Sequence, residues 1–319
     1  MNNKALVIGA TGGIGRSTVK YLAEKNIPVR ILVRNKYKAE KYFLDLNGIE
    51  IVEGDAQFSK DLMKASKDAA TLFYCLNIPY TEWSEKAVPL ITKSLDAAVE
   101  NNMRFVLSAN VYVYGHAQYN PVDEKHPHDP HTKKGKIRNE MEMLIKKYSE
   151  EKNMKYTITR FPDFYGPYIV NGFSEKLFTD ALKGDKLLWI GDKTIPKEYI
   201  YIEDAAKCLV ESALSEKGIN QEFNVPSCGK ISNSDFLETI SKFGGKNSGY
   251  RLLNSDIIYW TMSLFSPMIK EVKEMLYLKR EEFYLDGTKF KNTFGFLPST
   301  NYEEGIKKTF EWVKEFYRT

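Results

Sequence analysis

Cysteine is scarce in this chain of 319 residues, which contains only three. Cys75, Cys208 and Cys228 lie too far apart for the C-x-x-C spacing of a metal or redox motif. Isolated thiols of this kind are typical of the reducing cytosol, where disulfide bonds are rare. We therefore expect a cytoplasmic protein whose cysteines stay reduced, and we expect no metal site.

The chain also lacks an apolar run long enough to cross a bilayer. Its most apolar segment, IIYWTMSLFSPMI at 257–269, is too short and is interrupted by Pro267. We interpret it as a buried helix; the alternative is a lid over an apolar pocket, to which Trp260 and Phe265 would contribute. The N-terminal residues run directly into a predicted strand, so neither a signal peptide nor a membrane partner is expected.

A large excess of one charge is missing as well. The 46 basic and 42 acidic residues leave a net charge of +4, whereas a dedicated nucleic-acid-binding protein usually carries a concentrated basic surface. We therefore expect no nucleic-acid partner. One basic cluster, HTKKGK at 131–136, still needs an explanation. It is consistent with a binding patch, a solvated helix start or part of an active site.

Strand and helix patterns alternate along the first half of the chain. The strands are predicted at 4–10, 28–33, 48–55, 71–76, 104–109 and 155–161. The helices are predicted at 16–26, 36–46, 85–102 and 136–151. This order favours parallel pairing with right-handed crossovers, and the apolar strands favour a sheet buried on both faces. The predicted fold is an α/β, Rossmann-type, doubly wound parallel sheet.

After residue 167 the alternation becomes irregular, although helical patterns continue to the C-terminus. We predict a nucleotide-binding Rossmann domain over 1–167 and a smaller mixed α/β substrate domain over 168–319. The segment 197–216 is expected to return to the first domain. No internal repeat or low-complexity tract interrupts this organisation.

A glycine-rich turn closes the first predicted strand and opens the first predicted helix. Gly9, Gly12 and Gly15 are spaced three residues apart within VIGATGGIGRSTVKYL, and this context gives the spacing its meaning. One glycine allows a tight turn, another lets a pyrophosphate approach the backbone, and the third allows close packing. The first N–H groups of the helix would then face the anion. The pattern predicts a bound dinucleotide rather than an empty turn.

The end of the second predicted strand bears on which dinucleotide is bound. Sites that prefer NAD usually carry an acidic residue there, whereas this chain has Val33 followed by Arg34, Asn35 and Lys36. A missing carboxylate removes repulsion toward a 2′-phosphate, and the planar guanidinium of Arg34 suits phosphate oxygens. Charge therefore favours NADP over NAD, and the alternative is a solvated basic loop.

Six further motifs follow in a fixed order. They are EGDA (53–56), RFVLSANVYVYG (104–115), TRFPDFYGP (159–167), KEYIYIEDAA (197–206), FNVPSCGKISNSDFLETI (223–240) and DGTKFKNTFGFLPSTNYEEGIKKT (286–309). Together with the glycine turn they resemble the extended short-chain dehydrogenase/reductase family, of the NAD-dependent epimerase/dehydratase type. The resemblance runs nearly from end to end, and several ordered matches are more specific than any one of them.

The resemblance implies a catalytic tyrosine four residues before a lysine, and a serine that positions the substrate oxygen. Lys136 fits the lysine, and Glu140 fits the acidic residue that usually follows four positions later. Thr132 then stands at the tyrosine position and Asn110 at the serine position. A threonine hydroxyl is a poor acid near neutral pH because its pKa lies far above the phenol value of about 10.

The missing tyrosine leaves the proton donor open. Lys136 is expected to hold the nicotinamide ribose, and it would itself be the acid or base if desolvation lowered its pKa. Asn110 and Tyr114 are expected to line the reacting end. Each alternative donor also has an ordinary interpretation as a core, turn or surface residue. The candidates for a relocated donor are Tyr112, Tyr114, Tyr165 and His131.

The resemblance also implies a contact between adenine and Asp55, in the turn after the third strand. The predicted cofactor is NADP, with NAD as the alternative. The residues expected to hold it are Gly9, Thr11, Gly12, Gly13, Ile14, Gly15, Arg34, Asp55, Ala56 and Lys136.

Three functions remain open for such a chain. The first is an NADP-dependent oxidoreductase of an atypical short-chain type that acts on an unidentified small molecule. The second is a non-catalytic NADP(H)-binding sensor. The third is a nucleotide-sugar epimerase or dehydratase, in which Lys197 would stand where relatives often use an arginine to hold the diphosphate. The resemblance further implies a homodimer that pairs through the helices at 85–102 and 136–151.

Overall fold

The computed structural model describes residues 3–169, 173–245, 248–253, 271 and 273–317. The apolar segment 257–269, with Trp260 and Phe265, lies outside the described residues. The strands are β1 (Ala5–Ile8), β2 (Val29–Val33), β3 (Ile49–Glu53), β4 (Thr71–Tyr74), β5 (Arg104–Asn110), β6 (Tyr156–Phe161), β7 (Asp163–Tyr165), β8 (Leu187–Ile190), β9 (Pro196–Lys197), β10 (Tyr199–Tyr201), β11 (Gln221–Asn224), β12 (Ile231–Ser232) and β13 (Tyr250–Leu253).

Helices connect these strands and cover the sheet. They are α1 (Gly13–Glu24), α2 (Lys36–Tyr42), α3 (Ser59–Ser66), α4 (Trp83–Glu100), α5 (Lys133–Lys152), α6 (Phe173–Lys183), α7 (Ile202–Leu214), α8 (Asn233–Gly244), α9 (Tyr277–Arg280), α10 (Thr288–Phe294) and α11 (Tyr302–Phe316). Short 3-10 turns occur at Tyr80–Glu82, Val111–Tyr114 and Glu216–Gly218.

The central sheet has seven strands in the order β11-β6-β5-β4-β1-β2-β3, and all its pairings are parallel. The chain leaves β1 toward β2 on one side and returns to β4 on the other side. The predicted doubly wound α/β fold is therefore confirmed. In sheets of this kind, ligands bind outside the carboxyl ends of the strands at the point where the order reverses. Here that point lies between β1 and β4.

Alternating side chains of the strands build two core layers. Leu6 and Ile8 of β1 pack into the layer formed with α3, α4 and α5. Ala5 and Val7 point the other way, into the layer formed with α1, α7 and α10. Successive side chains of a strand face opposite sides, so a strand buried on both faces is apolar throughout. This explains why the strands read as continuous apolar runs.

Residues beyond 167 contribute to both the sheet and a separate core. Helix α7 packs against α1, and β11 extends the central sheet beside β6. A third apolar cluster brings together α6, α8, α11 and β10, with Phe178, Phe236 and Phe310 among its buried members. The C-terminal half therefore builds its own small core while it supplies an edge strand to the main sheet.

In the part of the chain that the structure covers, every helix is either too short or too polar to cross a membrane. Cys75 and Cys208 are buried and Cys228 is exposed, and all three are free thiols.

Candidate active site

The glycine turn places the start of α1 at the carboxyl end of β1. Gly9 has a φ of +78°, and the amide of Gly12 donates to the carbonyl of Gly9 at 3.0 Å. A Cβ at Gly15 would lie 2.2 Å from that same carbonyl oxygen, so the turn and the helix are in direct contact. No side chain caps the helix at Gly12. The free N–H groups, around the half-buried Thr11, Gly13 and Ile14, can therefore receive an anion.

Replacing Gly9 by alanine is expected to destabilise the protein and weaken nucleotide binding. A Cβ there would lie 2.5 Å from the carbonyl oxygen of Cys75, on a backbone that already has a positive φ. Gly48 is the matched control, because its φ is +77° but its Cβ would meet open space. Gly48→Ala should cost only about 1–2 kcal/mol for the left-handed backbone. Denaturant unfolding should show a larger loss for Gly9→Ala; equal losses would contradict the crowding argument.

The region expected to hold the adenosine lies at the ends of β2 and β3. Arg34 is exposed directly after β2, and the side chain of Asn35 caps α2 by accepting from the amide of Lys38 at 2.8 Å. Val33 pairs with Glu53 across the two strands, and the Glu53 carboxylate accepts from the amide of Lys36 at 3.3 Å. The Glu53 carboxylate of β3 therefore lies beside the end of β2, although β2 itself ends without an acidic residue.

Asp55 and Ala56 form a fixed turn at the carboxyl end of β3. The Asp55 carboxylate accepts from the amide of Gln57 at 2.9 Å, and the amide of Asp55 donates to Asp61 at 2.9 Å. Ala56 is buried. The turn lies at the same edge of the sheet as the glycine turn, and the adenine contact implied by the resemblance stays a prediction.

Helix α5 begins at the basic cluster, and Thr132 is its N-cap. The Thr132 hydroxyl is buried and accepts from the amide of Gly135 at 3.0 Å. A Cβ at Gly135 would lie 2.7 Å from the carbonyl oxygen of Tyr112. The first turn of α5 is thus packed tightly against the 3-10 turn that follows β5. The residue at the expected tyrosine position serves to start the helix.

The buried face of α5 differs from the face predicted from the sequence. Lys136, expected to hold the nicotinamide ribose, and Glu140 fall on the outer side of the helix, and Lys136 is exposed. The side chains that point inward are those of Lys134, Arg138 and Glu142, with exposed fractions of 1%, 8% and 1%. They have the same four-residue spacing, shifted by two positions. Lys134 and Arg138 are therefore an inward pair with the four-residue spacing that the resemblance implies for the catalytic tyrosine and lysine.

Glu142 is held in this register by Arg160, the arginine of the motif that ends in Tyr-Gly-Pro. The Nε of Arg160 donates to Glu142 at 3.2 Å, and its Nη2 donates to both Glu142 and Glu222. Burial alone would raise the pKa of Glu222, but the charges of Arg160 and Lys146 outweigh it and lower the pKa to about 2. This fully buried ion pair fixes the rotation of α5 about its axis.

Tyr114 belongs to the same buried network. Its hydroxyl donates to the amide oxygen of Asn224 at 2.8 Å and accepts from Arg160 at 3.2 Å. Its exposed fraction is 0%, and burial raises its pKa. The Tyr114 hydroxyl is therefore buried at the carboxyl ends of β6 and β11 and is engaged within this network.

The ammonium group of Lys134 has all three of its donors occupied. It donates to the carbonyl of Glu271 at 2.8 Å and to its carboxylate at 2.6 Å. It also donates to the carboxylate of Glu274 at 2.7 Å. Glu274 additionally accepts from the amides of Lys133 and Lys134 at 2.7 and 3.2 Å, so it caps the helix. The Lys134 nitrogen lies 5.0 Å from the ring centre of Tyr80.

Arg138 differs from Lys134, since no ion pair of its side chain occurs among the described residues. Its guanidinium lies over the ring of Trp83 at 4.5 Å, and its Nε has no hydrogen-bond partner in the described part of the chain. It lines a narrow cleft with Tyr74, Leu76 and Asn77, directly after the carboxyl end of β4. Burial lowers its pKa, and the neighbouring phenols act in the opposite direction. A buried guanidinium whose Nε has no partner among the described residues is suited to a ligand with hydroxyl or phosphate oxygens.

Two phenols lie beside these cations. The hydroxyls of Tyr80 and Tyr112 are 2.9 Å apart, and burial raises the pKa of each. Asn110, which stands at the expected serine position, is half-buried and accepts from the amide of Tyr112 at 3.2 Å. Asn110 therefore shapes the turn that carries Tyr112. Its amide group remains at the carboxyl end of β5.

The other two candidate proton donors are His131, which is exposed, and Tyr165, which is buried in another part of the molecule. His131 is exposed and stacks on His116 with ring centres 4.1 Å apart. Tyr165 is buried in the third apolar cluster, with Tyr302 and Phe236 as ring neighbours. Burial raises the pKa of Tyr165. The structure therefore does not bring Tyr165 to the cleft lined by Arg138.

Sequence reasoning missed Lys134, Arg138 and Tyr80. The signal for the first two was present, because Arg138 and Glu142 repeat the lysine-to-acid spacing and fall on the same helical stripe as Met141. The buried arginine of the motif, Arg160, also requires a buried carboxylate partner, and Glu142 is that partner. Tyr80 carried no such signal, since it follows β4 in an irregular segment.

A second group of cations lies near β7 and β9. Lys197 is buried and donates to the carbonyl of Glu281. Burial, together with the positive charge of nearby Lys279, lowers the pKa of Lys197 to about 8. Lys279 itself pairs with Asp163. Lys197 and Lys279 thus lie close to each other, and the carboxylates of Asp163, Glu281 and Glu282 act against their mutual repulsion.

Known proteins resemble this chain in both sequence and fold. The model of the NAD dependent epimerase/dehydratase family matches residues 5–225. The UDP-N-acetyl-alpha-D-glucosaminuronate decarboxylase of Bacillus cytotoxicus is 25% identical over 99% of both chains. An epimerase structure from Methanothermobacter thermautotrophicus superposes with a TM-score of 0.84 at 19% identity, covering 99% of this chain and 94% of that one. The UDP-glucuronic acid 4-epimerase of Bacillus cereus, in complex with UDP-glucuronic acid and NAD, has a TM-score of 0.80 at 18% identity, covering 98% and 100%.

Proposed function

This chain belongs to the NAD-dependent epimerase/dehydratase family, as its motifs predicted, and we propose that it is a nicotinamide-dependent enzyme acting on a nucleotide sugar. The observation that carries the proposal is the inward row of Lys134, Arg138 and Glu142. It reproduces the spacing of the family's catalytic helix beside the glycine turn. The alternative function, an oxidoreductase acting on another small molecule, would use the same site.

Arg138 takes the role that the sequence suggested for Lys136. Its guanidinium, whose Nε has no partner among the described residues, lies at the carboxyl end of β4, and a Cβ at Gly9 would touch Cys75 of that same segment. The cleft and the glycine turn are therefore contiguous. In this arrangement the N-terminus of α1 holds the pyrophosphate and the planar fork of Arg138 holds ribose hydroxyls.

A nucleotide sugar as substrate is supported by the second group of cations. Lys197 and Lys279 repel each other, and this repulsion contributes to the lowered pKa of Lys197. A diphosphate bound beside them would reduce this repulsion further. The decarboxylase of Bacillus cytotoxicus, aligned over nearly the whole chain, is named for a UDP-sugar.

We also propose that Arg34 favours NADP over NAD. Its side chain is exposed where a 2′-phosphate would lie, whereas the nearby Glu53 is engaged by the amide of Lys36. Arg34→Ala should weaken NADPH binding about tenfold, or about 1.4 kcal/mol, and leave NADH binding unchanged. Fluorescence titration measures both affinities, with Lys38→Ala on α2 as the control. Tighter NADH than NADPH binding by the unaltered protein would assign the site to NAD.

The proposed activity is tested with purified protein, either cofactor, and two substrate panels. UDP- and dTDP-sugars form the first panel, and small carbonyl compounds form the second. Epimerised, dehydrated or oxidised sugar is the expected product, and Lys197→Ala should raise KM for the sugar much more than it lowers kcat. Turnover restricted to the carbonyl panel would assign the chain to the oxidoreductase alternative.

A non-catalytic nicotinamide sensor is the second candidate, and the contacts of Lys134 favour it. Its ammonium is fully occupied by Glu271 and Glu274, so Lys134 cannot donate to a substrate in this arrangement. Tight cofactor binding without turnover of either panel would identify the sensor.

A further inference from the structure

We infer that the phenol of Tyr80, paired with the phenol of Tyr112, is the proton donor that replaces the catalytic tyrosine missing from α5. The inference rests on the proposed function and names the acid for it. Three features of the described residues lead to this assignment: the occupied ammonium of Lys134, the phenol pair beside it, and the Nε of Arg138 that has no hydrogen-bond partner.

Lys134 is the first residue of the inward pair but is excluded as the acid by its contacts. An ammonium has three N–H donors, and those of Lys134 are directed to two oxygens of Glu271 and one of Glu274. Thr132 is excluded because its hydroxyl accepts from the helix amide of Gly135 and is too weak an acid. The helix start therefore offers no proton donor to a substrate.

The phenol pair beside Lys134 does bear a suitable proton. The ring centre of Tyr80 is 5.0 Å from the Lys134 nitrogen, and its hydroxyl is 2.9 Å from that of Tyr112. Tyr80 is half-buried, whereas Tyr112 is buried within the core. Tyr80 is thus the member that can reach a substrate oxygen, and Tyr112 supplies a hydrogen bond to it.

Arg138 provides the charge that a phenolate at this position needs. Arg138 has an exposed fraction of only 8%. Its main electrostatic neighbours are the phenols of Tyr74, Tyr112 and Tyr80. Buried charges are normally paired. When Tyr80 gives up its proton, the phenolate becomes that partner. Burial raises the pKa of Tyr80, so the group stays protonated at neutral pH, as an acid must.

The proton step balances with the hydride step of a nicotinamide-dependent reduction. As the substrate carbonyl carbon gains a hydride from the nicotinamide cofactor, its oxygen takes up the electron pair of the carbonyl bond. That oxygen forms a bond to the Tyr80 proton while the phenolic O–H bond breaks. The phenolate keeps the electron pair, accepts from the Tyr112 hydroxyl, and later regains a proton from water.

The first test needs neither cofactor nor substrate. The full chain is labelled at the tyrosine Cζ with carbon-13, and the Tyr80 signal is the one lost in Tyr80→Phe. In Arg138→Met, the titration of Tyr80 is expected to move to higher pH by about 1–3 units. The signal of the exposed Tyr317 should not move, and Arg138→Lys should restore much of the Tyr80 titration. A Tyr80 titration that is the same with and without Arg138 would overturn the inference.

The second test uses the substrate found for the unaltered protein. Tyr80→Phe should lower kcat about 100-fold or more with little change in KM, and Tyr112→Phe should shift the pH dependence of kcat. Tyr317→Phe serves as the neutral control. Normal kcat in Tyr80→Phe, with an active unaltered protein, would refute this inference while leaving the proposed function intact. An unaltered protein that binds cofactor but turns nothing over would refute both.

Discussion

Replacing Glu142 by alanine is expected to lower the free energy of unfolding by about 3–5 kcal/mol, because it leaves a buried charge without its partner. Arg160 has an exposed fraction of 0% and Glu142 of 1%. The guanidinium also donates to Glu222 and Tyr114, so it cannot turn toward water when one carboxylate is removed. Denaturant unfolding with a fixed m-value measures the loss.

The same helix provides a matched control for this prediction. Glu151 pairs with Lys147 at 4.0 Å, and both side chains are largely exposed. Glu151→Ala removes an equal charge from α5 and should change stability by no more than about 0.5 kcal/mol. A loss below about 1 kcal/mol for Glu142→Ala would mean that Glu222 alone satisfies Arg160. The charge on α5 would then have no role in fixing its register.

The sheet of the N-terminal half could be predicted because its signals are local. Each strand buried on both faces is a continuous apolar run, and each intervening helix has its own period. Helix α3, Ser59–Ser66, escaped prediction since it is short and buries only Leu62 and Ala65 among its apolar residues. Strand β11, QEFN, is a polar segment at the sheet edge. Its membership of the central sheet depends on distant pairing with β6, which no local pattern records.

The kind of site could be predicted from the sequence, but the residues of α5 that face it could not. The glycine turn has a fixed spacing and context, so its position follows from the sequence alone. Helix α5 instead begins with three lysines, Lys133, Lys134 and Lys136, in its first turn. Polar residues lie on both sides of the helix, and counting from a motif selected Lys136. Burial selects Lys134 and Arg138, because they share a stripe with Met141 and Ile145. Buried Arg160 requires a carboxylate partner, and this requirement decides between the two registers. It arises only once β6 and α5 are packed together.

Replacing Arg138 by methionine is expected to make the free protein more stable and to weaken its binding of the cofactor. Burying an unpaired charge is costly, and a side chain of similar volume without charge should gain about 1–3 kcal/mol in the free energy of unfolding. The contact with Trp83 at 4.5 Å opposes this gain by about 0.5–2 kcal/mol. A small net stabilisation is therefore expected in thermal or denaturant unfolding.

Cofactor binding should change in the opposite direction in the same variant. Loss of hydrogen bonds from a charged donor to ribose oxygens is expected to weaken nicotinamide binding by about 1.5–3 kcal/mol, or roughly 10-fold to 150-fold. Arg138→Lys is the informative control, because it keeps the buried charge and should not stabilise the free protein. If Arg138→Met instead unfolds more easily and binds cofactor normally, the guanidinium is a structural group satisfied by Trp83 and its neighbouring phenols. Opposite changes in stability and affinity would show that the charge is retained in the core for a ligand.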